Sequence, residues 1–255
     1  MKTLLTLCLA GLLAAQNPPT VRNGQVQIRP LSGDLAAQLK SGPATWFGYE
    51  IKTQGKTTQQ CDGHYQEPIQ LEGSDSAAVL LRVENNEVQR TRLYSTACSL
   101  DAGGLPFVWL TGVSERASLA YLKTLLAKGA QHEGDGAIFL ISQHQGREAT
   151  GILIDQAKNS QSTHIRGQAL FWLAQRAGSQ SAAAIVDAIV NDPNTEVKKK
   201  AVFALSQLPA DEGVPKLIDI ARTQRNPEVR KQAFFWLGQS HDARALAFLE
   251  DVLSK

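Results

Sequence analysis

The chain lacks most of what would commit it to chemistry or to an anionic partner. Its formal net charge is only +2 over 255 residues. Val21 to Leu100 holds eight basic and eight acidic residues, and Asp101 to Lys255 holds 17 against 16. With no electropositive excess in either half, nucleic acid is not an expected partner. There is no His-Glu-x-x-His, no Gly-x-Ser-x-Gly and no phosphate-cradling glycine loop with a lysine. The five histidines, His64, His132, His144, His164 and His241, share no phase and make no ligand-spaced pair. The expectation is a protein without catalytic residues, resident metal or cofactor. Beyond the N-terminus no stretch approaches the ~20 apolar residues that span a bilayer, so stable membrane insertion is not expected.

The N-terminus itself has the three parts of a secretion signal. Lys2 is the charged region, Leu4 to Leu13 the apolar one, and Ala14-Ala15 the small residues for cleavage. A signal over residues 1–16 predicts a secreted or periplasmic protein, and its removal leaves two cysteines, Cys61 and Cys98. In an oxidising compartment an even count favours a disulfide, which for this loop length stabilises by roughly 4 kcal/mol in the chain-entropy view. The rival is a metal site, because Cys61-Asp-Gly-His64 has ligand-like spacing and Cys98 offers a third sulfur.

Residues 17–100 read as a small β-rich module. Gly24 to Ile28 alternates apolar residues with glutamines and suits a short strand, and Leu35 to Leu39 suits a helical turn or two. Thr45 to Ile51 is aromatic and β-branched and predicts a strand. Thr53 to Gly63 is polar and reads as an exposed loop. Ala78 to Glu84 and Val88 to Thr96 make the arms of a hairpin around Asn85-Asn86, since asparagine tolerates the positive φ of a tight turn. Trp46, Phe47 and Tyr49 suggest either an aromatic platform or alternating core residues. Period two keeps Trp46 and Tyr49 off a common face, which favours the core.

Residues 101–255 repeat. Ile165 to Gln175 returns as Val197 to Gln207 and as Val229 to Gln239, each 32 residues after the last. Upstream, Ala137 to Gln143 fits the same phase, and Leu105 to Thr111 reads as a degenerate first copy. Phe107, Phe139, Phe171, Phe203 and Phe235 thus share one position. A second apolar segment follows each copy, aligning Tyr121, Leu153, Ile185, Leu217 and Leu249, with Asp155, Asp187, Asp219 and Asp251 beside them. Each unit predicts two short antiparallel helices, A and B. Ser162, Asn194 and Asn226 are placed as N-caps of the A helices, and Pro227 sits at a first helical position. A period of this length signals a solenoid, whose repeats bury their core against their neighbours. The expected fold is mostly α: about five two-helix repeats behind the β-rich module.

The pattern Val-Arg/Lys-x-x-Ala-x-x-Ala/Trp-Leu, preceded by an Asn-Pro or Asp-Pro turn, resembles the HEAT repeat. It is most similar to the short HEAT-like repeats of phycobilisome lyases, and Cys98 to Leu110 resembles the junction in secreted bacterial HEAT-repeat proteins. What the resemblance implies is an α-solenoid that binds proteins. Di-iron enzymes of that kind carry repeated His-Glu dipeptides, whereas His132-Glu133 stands alone here.

The periodic residues divide by role. Ile165, Ala169, Trp172 and Leu173 lie on one broad helical face and read as core. Phe171 and Gln175 lie on another stripe, shared by Phe139, Gln143, Phe203, Gln207, Phe235 and Gln239. In HEAT-like repeats that position is commonly polar. The stripe is therefore either a docking surface or packing between successive A helices. The aspartates read as a solvated face, and the ladder of Arg166, Lys198 and Arg230 reads as structural, since in HEAT-like arrays that position bonds to turns of adjacent repeats. The leading expectation is a non-catalytic scaffold in the cell envelope that binds a protein or peptide on the stripe. The alternative places an enzymatic or envelope-stress regulatory site near Asp62, His64 and Cys98.

Overall fold

A computed structural model of the chain describes residues 18–57, 74–128, 131–176 and 178–254. The signal segment and Cys61 to His64 lie outside the described residues.

Among the described residues, seven strands and one short helix form the N-terminal part. They are β1 (Val21–Arg22), β2 (Val26–Pro30), α1 (Leu35–Gln38), β3 (Thr45–Thr57), β4 (Ser74–Glu84), β5 (Glu87–Ser95), β6 (Leu100–Asp101) and β7 (Phe107–Thr111). Five make one sheet in the order β2-β7-β3-β4-β5, while β1 pairs with β6. β3, β4 and β5 run antiparallel in turn, and β7 inserts parallel to both β2 and β3. The hairpin turns on Asn85 and Asn86, both at positive φ (53° and 63°), the type I′ geometry that matches strand twist.

Strict alternation gives the sheet two buried faces. Phe47, Tyr49, Ile51, Val79, Leu81, Val83, Val108 and Leu110 join a core shared with the helices. Ala78, Leu80, Phe107 and Trp109 face the other way, packed with Cys98, Leu100 and Ala102 and bordered by Trp46. Trp46 and Tyr49 thus sit on opposite faces, and neither belongs to an aromatic platform. Gly48 lets Trp109 lie across β3, since a Cβ there would come within 2.8 Å of its ring.

Two sequence expectations fail here. Thr53 is 2% exposed and lies in β3, which runs on to Thr57 instead of breaking into a loop. Leu105 to Thr111 is not a helical repeat copy: Phe107 to Thr111 is the strand β7 at the heart of the sheet. Its apolar run is buried on both faces, as in strands flanked on both sides, and it is too short for a helix between Gly103-Gly104 and Gly112, all at positive φ. The match in phase is a coincidence of composition. The sheet therefore extends past Leu100 to Thr111, and the helices begin at Glu115.

Among the described residues nine helices follow: α2 (Glu115–Ala127), α3 (Gln131–Gln143), α4 (Arg147–Asn159), α5 (Thr163–Gln175), α6 (Ser179–Asn191), α7 (Thr195–Ser206), α8 (Ala210–Thr223), α9 (Pro227–Gln239) and α10 (Ala243–Leu253). The A helices are α3, α5, α7 and α9, and the rest are B helices. There are four A/B pairs plus α2, a B helix whose A partner position is occupied by β7. Ser162, Asn194 and Asn226 cap α5, α7 and α9 as expected, and Pro227 opens α9. Arg166 is the structural cement predicted for its position. It grips Asp192 with two nitrogens at 2.7 and 3.1 Å and the Ser160 carbonyl with the third, all but out of solvent. Lys198 and Arg230 donate to the carbonyls of Val190 and Gln224.

The sheet and the array share one core. Gly136 lets α3 lie against β5, because a Cβ there would run into the Thr91 side chain.

Candidate functional site

The phenylalanine and glutamine positions of the A helices come together on one surface. Phe139, Phe171 and Phe203 are partly buried on α3, α5 and α7, and Phe235 on α9 is 51% exposed. They do not stand apart as isolated rings. Phe139 contacts Trp172 at 5.2 Å between centroids, and Trp172 meets Phe171 edge-on at 4.9 Å. Phe171 stacks on Phe203 at 6.3 Å with ring planes 6° apart. Phe203 then meets Trp236 at 5.1 Å, and Trp236 meets Phe235 at 5.0 Å. Six rings make an unbroken path across four helices, each contact in the range where aromatic pairs attract beyond simple burial.

This geometry revises the division made from sequence. Packing between successive repeats, the bland account of the stripe, is present in every ring contact that crosses from one helix to the next. The rings nevertheless stay partly exposed, and among the four phenylalanines Phe235 on α9 is the most exposed. Trp172, read as core from the helical wheel, and Trp236 at the same position two repeats on are partly buried and pack against the core. Each also leans toward the phenylalanine of the preceding A helix and so joins the ring path, which the wheel does not show. Below Trp236 a crevice of about 200 Å³ is lined by Ser206, Leu208, Gly213, Val214 and Gln239 among others. The Trp236 indole nitrogen is buried and has no hydrogen-bond partner among the described residues.

The glutamines lie one turn beyond the phenylalanines. Gln175, Gln207 and Gln239 are exposed, and Gln143 is partly so. Gln143 and Gln207 donate to the hydroxyls of the serines just before them, Ser142 and Ser206. One turn before the phenylalanines the residue changes along the array from Asp135 through Gly167 to Lys199 and Lys231. Asp135 is bound by His164 at 2.5 Å, and Lys199 by Glu196 at 3.1 Å. Lys200 folds back over Gly167, where a Cβ would collide with its stem. This position is thus acidic on α3, glycine on α5 and lysine on α7 and α9.

The B-helix aspartates form a solvated row. Asp155 and Asp187 accept from Asn159 and Asn191, four residues on, at 2.8 and 2.6 Å. Such helix-surface pairs contribute a few tenths of a kcal/mol.

A second polar cluster, not foreseen from sequence, joins the sheet to the array. Tyr49 Oη lies 2.9 Å from Ser118 Oγ, which lies 2.9 Å from His144 Nε2, while His144 Nδ1 lies 2.8 Å from the Leu140 carbonyl. The carbonyl only accepts, so Nδ1 carries the proton and Nε2 accepts from Ser118, whose oxygen accepts from Tyr49. The Gln145 amide donates to Lys52 O of β3 beside it. Burial lowers the His144 pKa to about 4, opposed by the Leu140 carbonyl and assisted by nearby Arg176. Burial likewise raises the Tyr49 pKa. A serine beside a histidine has the outline of an activated nucleophile, but Tyr49, Ser118 and His144 are at most 1% exposed, and a substrate has no approach. Every hydrogen bond is satisfied internally, so the cluster fastens α2 and α3 to β3. His144 escaped notice in the sequence because its partners are 4, 26 and 95 residues away.

Among the described residues no three metal-ligating side chains gather, and no helix is long and apolar enough to cross a membrane. Cys98 is buried on the sheet's second face; Cys61, its expected partner, is outside the described residues.

The HEAT-repeat family matches residues 150–233 and, in an overlapping match, 182–255. Together the two matches span well under half of the chain, and over that part its helices are similar to HEAT repeats. The match begins within α4, just before the capped A helix α5 that carries Arg166, and it leaves the N-terminal sheet unmatched. Solved structures similar to the chain include human deoxyhypusine hydroxylase in complex with glycerol, 19% identical over 47% of this chain and 42% of that one, with a TM-score of 0.40. Another is the complex of CpcE and CpcF of phycocyanin lyase from Nostoc, 16% identical over 55% of this chain and 91% of that one, with a TM-score of 0.42. The chain spans less than half of the hydroxylase structure. No curated protein matches it.

Proposed function

We propose that this protein is a non-catalytic scaffold that binds a protein or peptide along the ring path of its HEAT repeats. The observation that carries the reading is the unbroken aromatic path from Phe139 to Phe235, partly exposed where soluble repeats ordinarily place polar residues. Exposed apolar stripes bounded by polar residues mark interaction surfaces, and HEAT repeats support a protein-binding role. Gln143, Gln175, Gln207 and Gln239 border the rings and supply donors and acceptors to a partner's backbone. The N-terminal sheet anchors the first A helix through the contact of Gly136 with Thr91.

Two further readings belong to the proposal. The protein works in the cell envelope or outside the cell, as the apolar N-terminal segment indicates. Cys61 and Cys98 form a disulfide there, a reading supported by the burial of Cys98 against Leu100 and Trp109.

The test separates packing from binding at a single residue. Phe235 is half-exposed, so Phe235→Ser should leave the melting temperature within about 2 °C of the parent, as surface substitutions do. Captures from envelope extract by parent and variant are then compared. A partner held by the parent and lost by the variant supports the stripe, and equal capture by both removes it.

A further inference from the structure

We infer that the open end of the array joins a second copy of this chain, α10 packing antiparallel on the partner's α10 about a two-fold axis. The inference is independent of the ring path, since it concerns the outer face of the last B helix. Leu246 and Leu253 on α10 are 59% and 86% exposed, and Leu249 between them is only partly buried. The same positions 32 and 64 residues earlier are Val214, Leu217 and Ala221 on α8 and Ala182, Ile185 and Ile189 on α6. All six are buried, and α9 and α7 lie against those helices. The exposed face of α10 is therefore a further copy of the face that the array elsewhere covers with a helix. A terminal repeat suited to standing alone has a polar outer face instead.

Geometry selects the occupant. Leu246, Leu249 and Leu253 follow one another at intervals of three and four, the spacing of a helix-pairing seam. Such a seam matches itself when the second helix runs the opposite way: with the axis beside Leu249, Leu246 of one copy meets the partner's Leu253. The other end of the array cannot serve. There α2 packs on α1, and its Ser118 bonds Tyr49 of β3, so the sheet already covers the first helix. An end that can meet only its own kind gives a closed pair and not a filament. At about 100° per residue Arg244 and Asp251 turn away from the seam, and Arg244 is held by Asp242 at 2.7 Å. Glu250 flanks the seam and comes beside its own copy at the axis, a like-charge contact that weakens the pair without preventing it.

The experiment is sedimentation equilibrium on the whole chain from about 1 μM to about 1 mM, a range that includes weak pairing. One helix pair makes a small interface, so the parent should pass reversibly from the mass of one chain to the mass of two as concentration rises. Leu246→Lys and Leu253→Glu, both at exposed positions and with circular dichroism unchanged, should each weaken the pair by roughly tenfold or more, because each buries an unpaired charge. Mixed together, the two variants should recover most of the affinity, since the introduced charges are opposite and face each other across the seam. Glu250→Gln should tighten the pair. A parent that stays a single chain throughout the range overturns the inference, as do single variants that pair as well as the parent. A mixture no better than either variant alone overturns the antiparallel arrangement.

Discussion

Acidification should weaken this fold through His144, and the size of the effect follows from its burial. In the native state the ring is neutral: Nδ1–H donates to the Leu140 carbonyl and Nε2 accepts from Ser118, and a second proton would place a charge where burial withholds water and would reverse the Ser118–Tyr49 hydrogen bond. Its pKa is lowered to about 4, against an ordinary 6.5 in the unfolded chain. Above pH 6.5 neither state is protonated and the fold keeps its full stability. Between 6.5 and 4 the unfolded chain takes up a proton that the native state refuses, so stability falls as pH falls, and it levels off below 4 with respect to this group. The difference of 2.5 units at 1.36 kcal/mol each gives a loss of about 3 kcal/mol. Urea unfolding of the parent and of His144→Gln should be followed from pH 7.5 to pH 4. The variant is less stable at pH 7.5 by about 1–3 kcal/mol, because Ser118 and the Leu140 carbonyl lose partners. The gap between the two proteins should close as pH falls and vanish or reverse near pH 4. Proton NMR of the ring gives an independent measure. A His144 pKa at or above 6, or a gap that does not change with pH, refutes the reasoning.

Three other predictions concern the parts that hold the surface in place. Asp192→Ala strands the buried Arg166 guanidinium and should cost about 3–5 kcal/mol in urea unfolding, whereas replacing both partners by apolar residues should recover most of the loss. Gly136→Ala should destabilise by about 1–3 kcal/mol through collision with Thr91, and Thr91→Ala in the same chain should restore part of it. Intact-mass spectrometry of the unreduced protein should show one Cys61–Cys98 bridge, and its reduction should lower stability by roughly 4 kcal/mol; two free thiols would remove the bridge and revive the metal alternative.

Much of the architecture was legible in the chain because a repeat records its geometry many times over. Phe139, Phe171, Phe203 and Phe235 recur at one phase, Asn194 and Asn226 cap the helices that follow them, and the alternation around Asn85-Asn86 specifies a hairpin. Local rules act over a few residues, and several copies of a local rule correct one another. The stripe was legible for the same reason.

Tertiary contact decided the rest. The phase of Phe107 matched the repeat, but the gap between β2 and β3 accepts an extended chain apolar on both sides, and Phe107 to Leu110 fills it as β7. Trp172 and Trp236 share the helical wheel with core residues, yet they turn toward the preceding A helix because a ring already waits there, and so they join the exposed path. Ser118, His144 and Tyr49 meet only when the sheet docks on α2 and α3. None of them has a periodic partner, and partners so far apart in the chain are brought together by packing alone. Sequence by itself determined that there would be a repeated helical array and which positions recur along its A helices; tertiary structure decided how the phenylalanine stripe is built, where the sheet ends, and what fastens the two together.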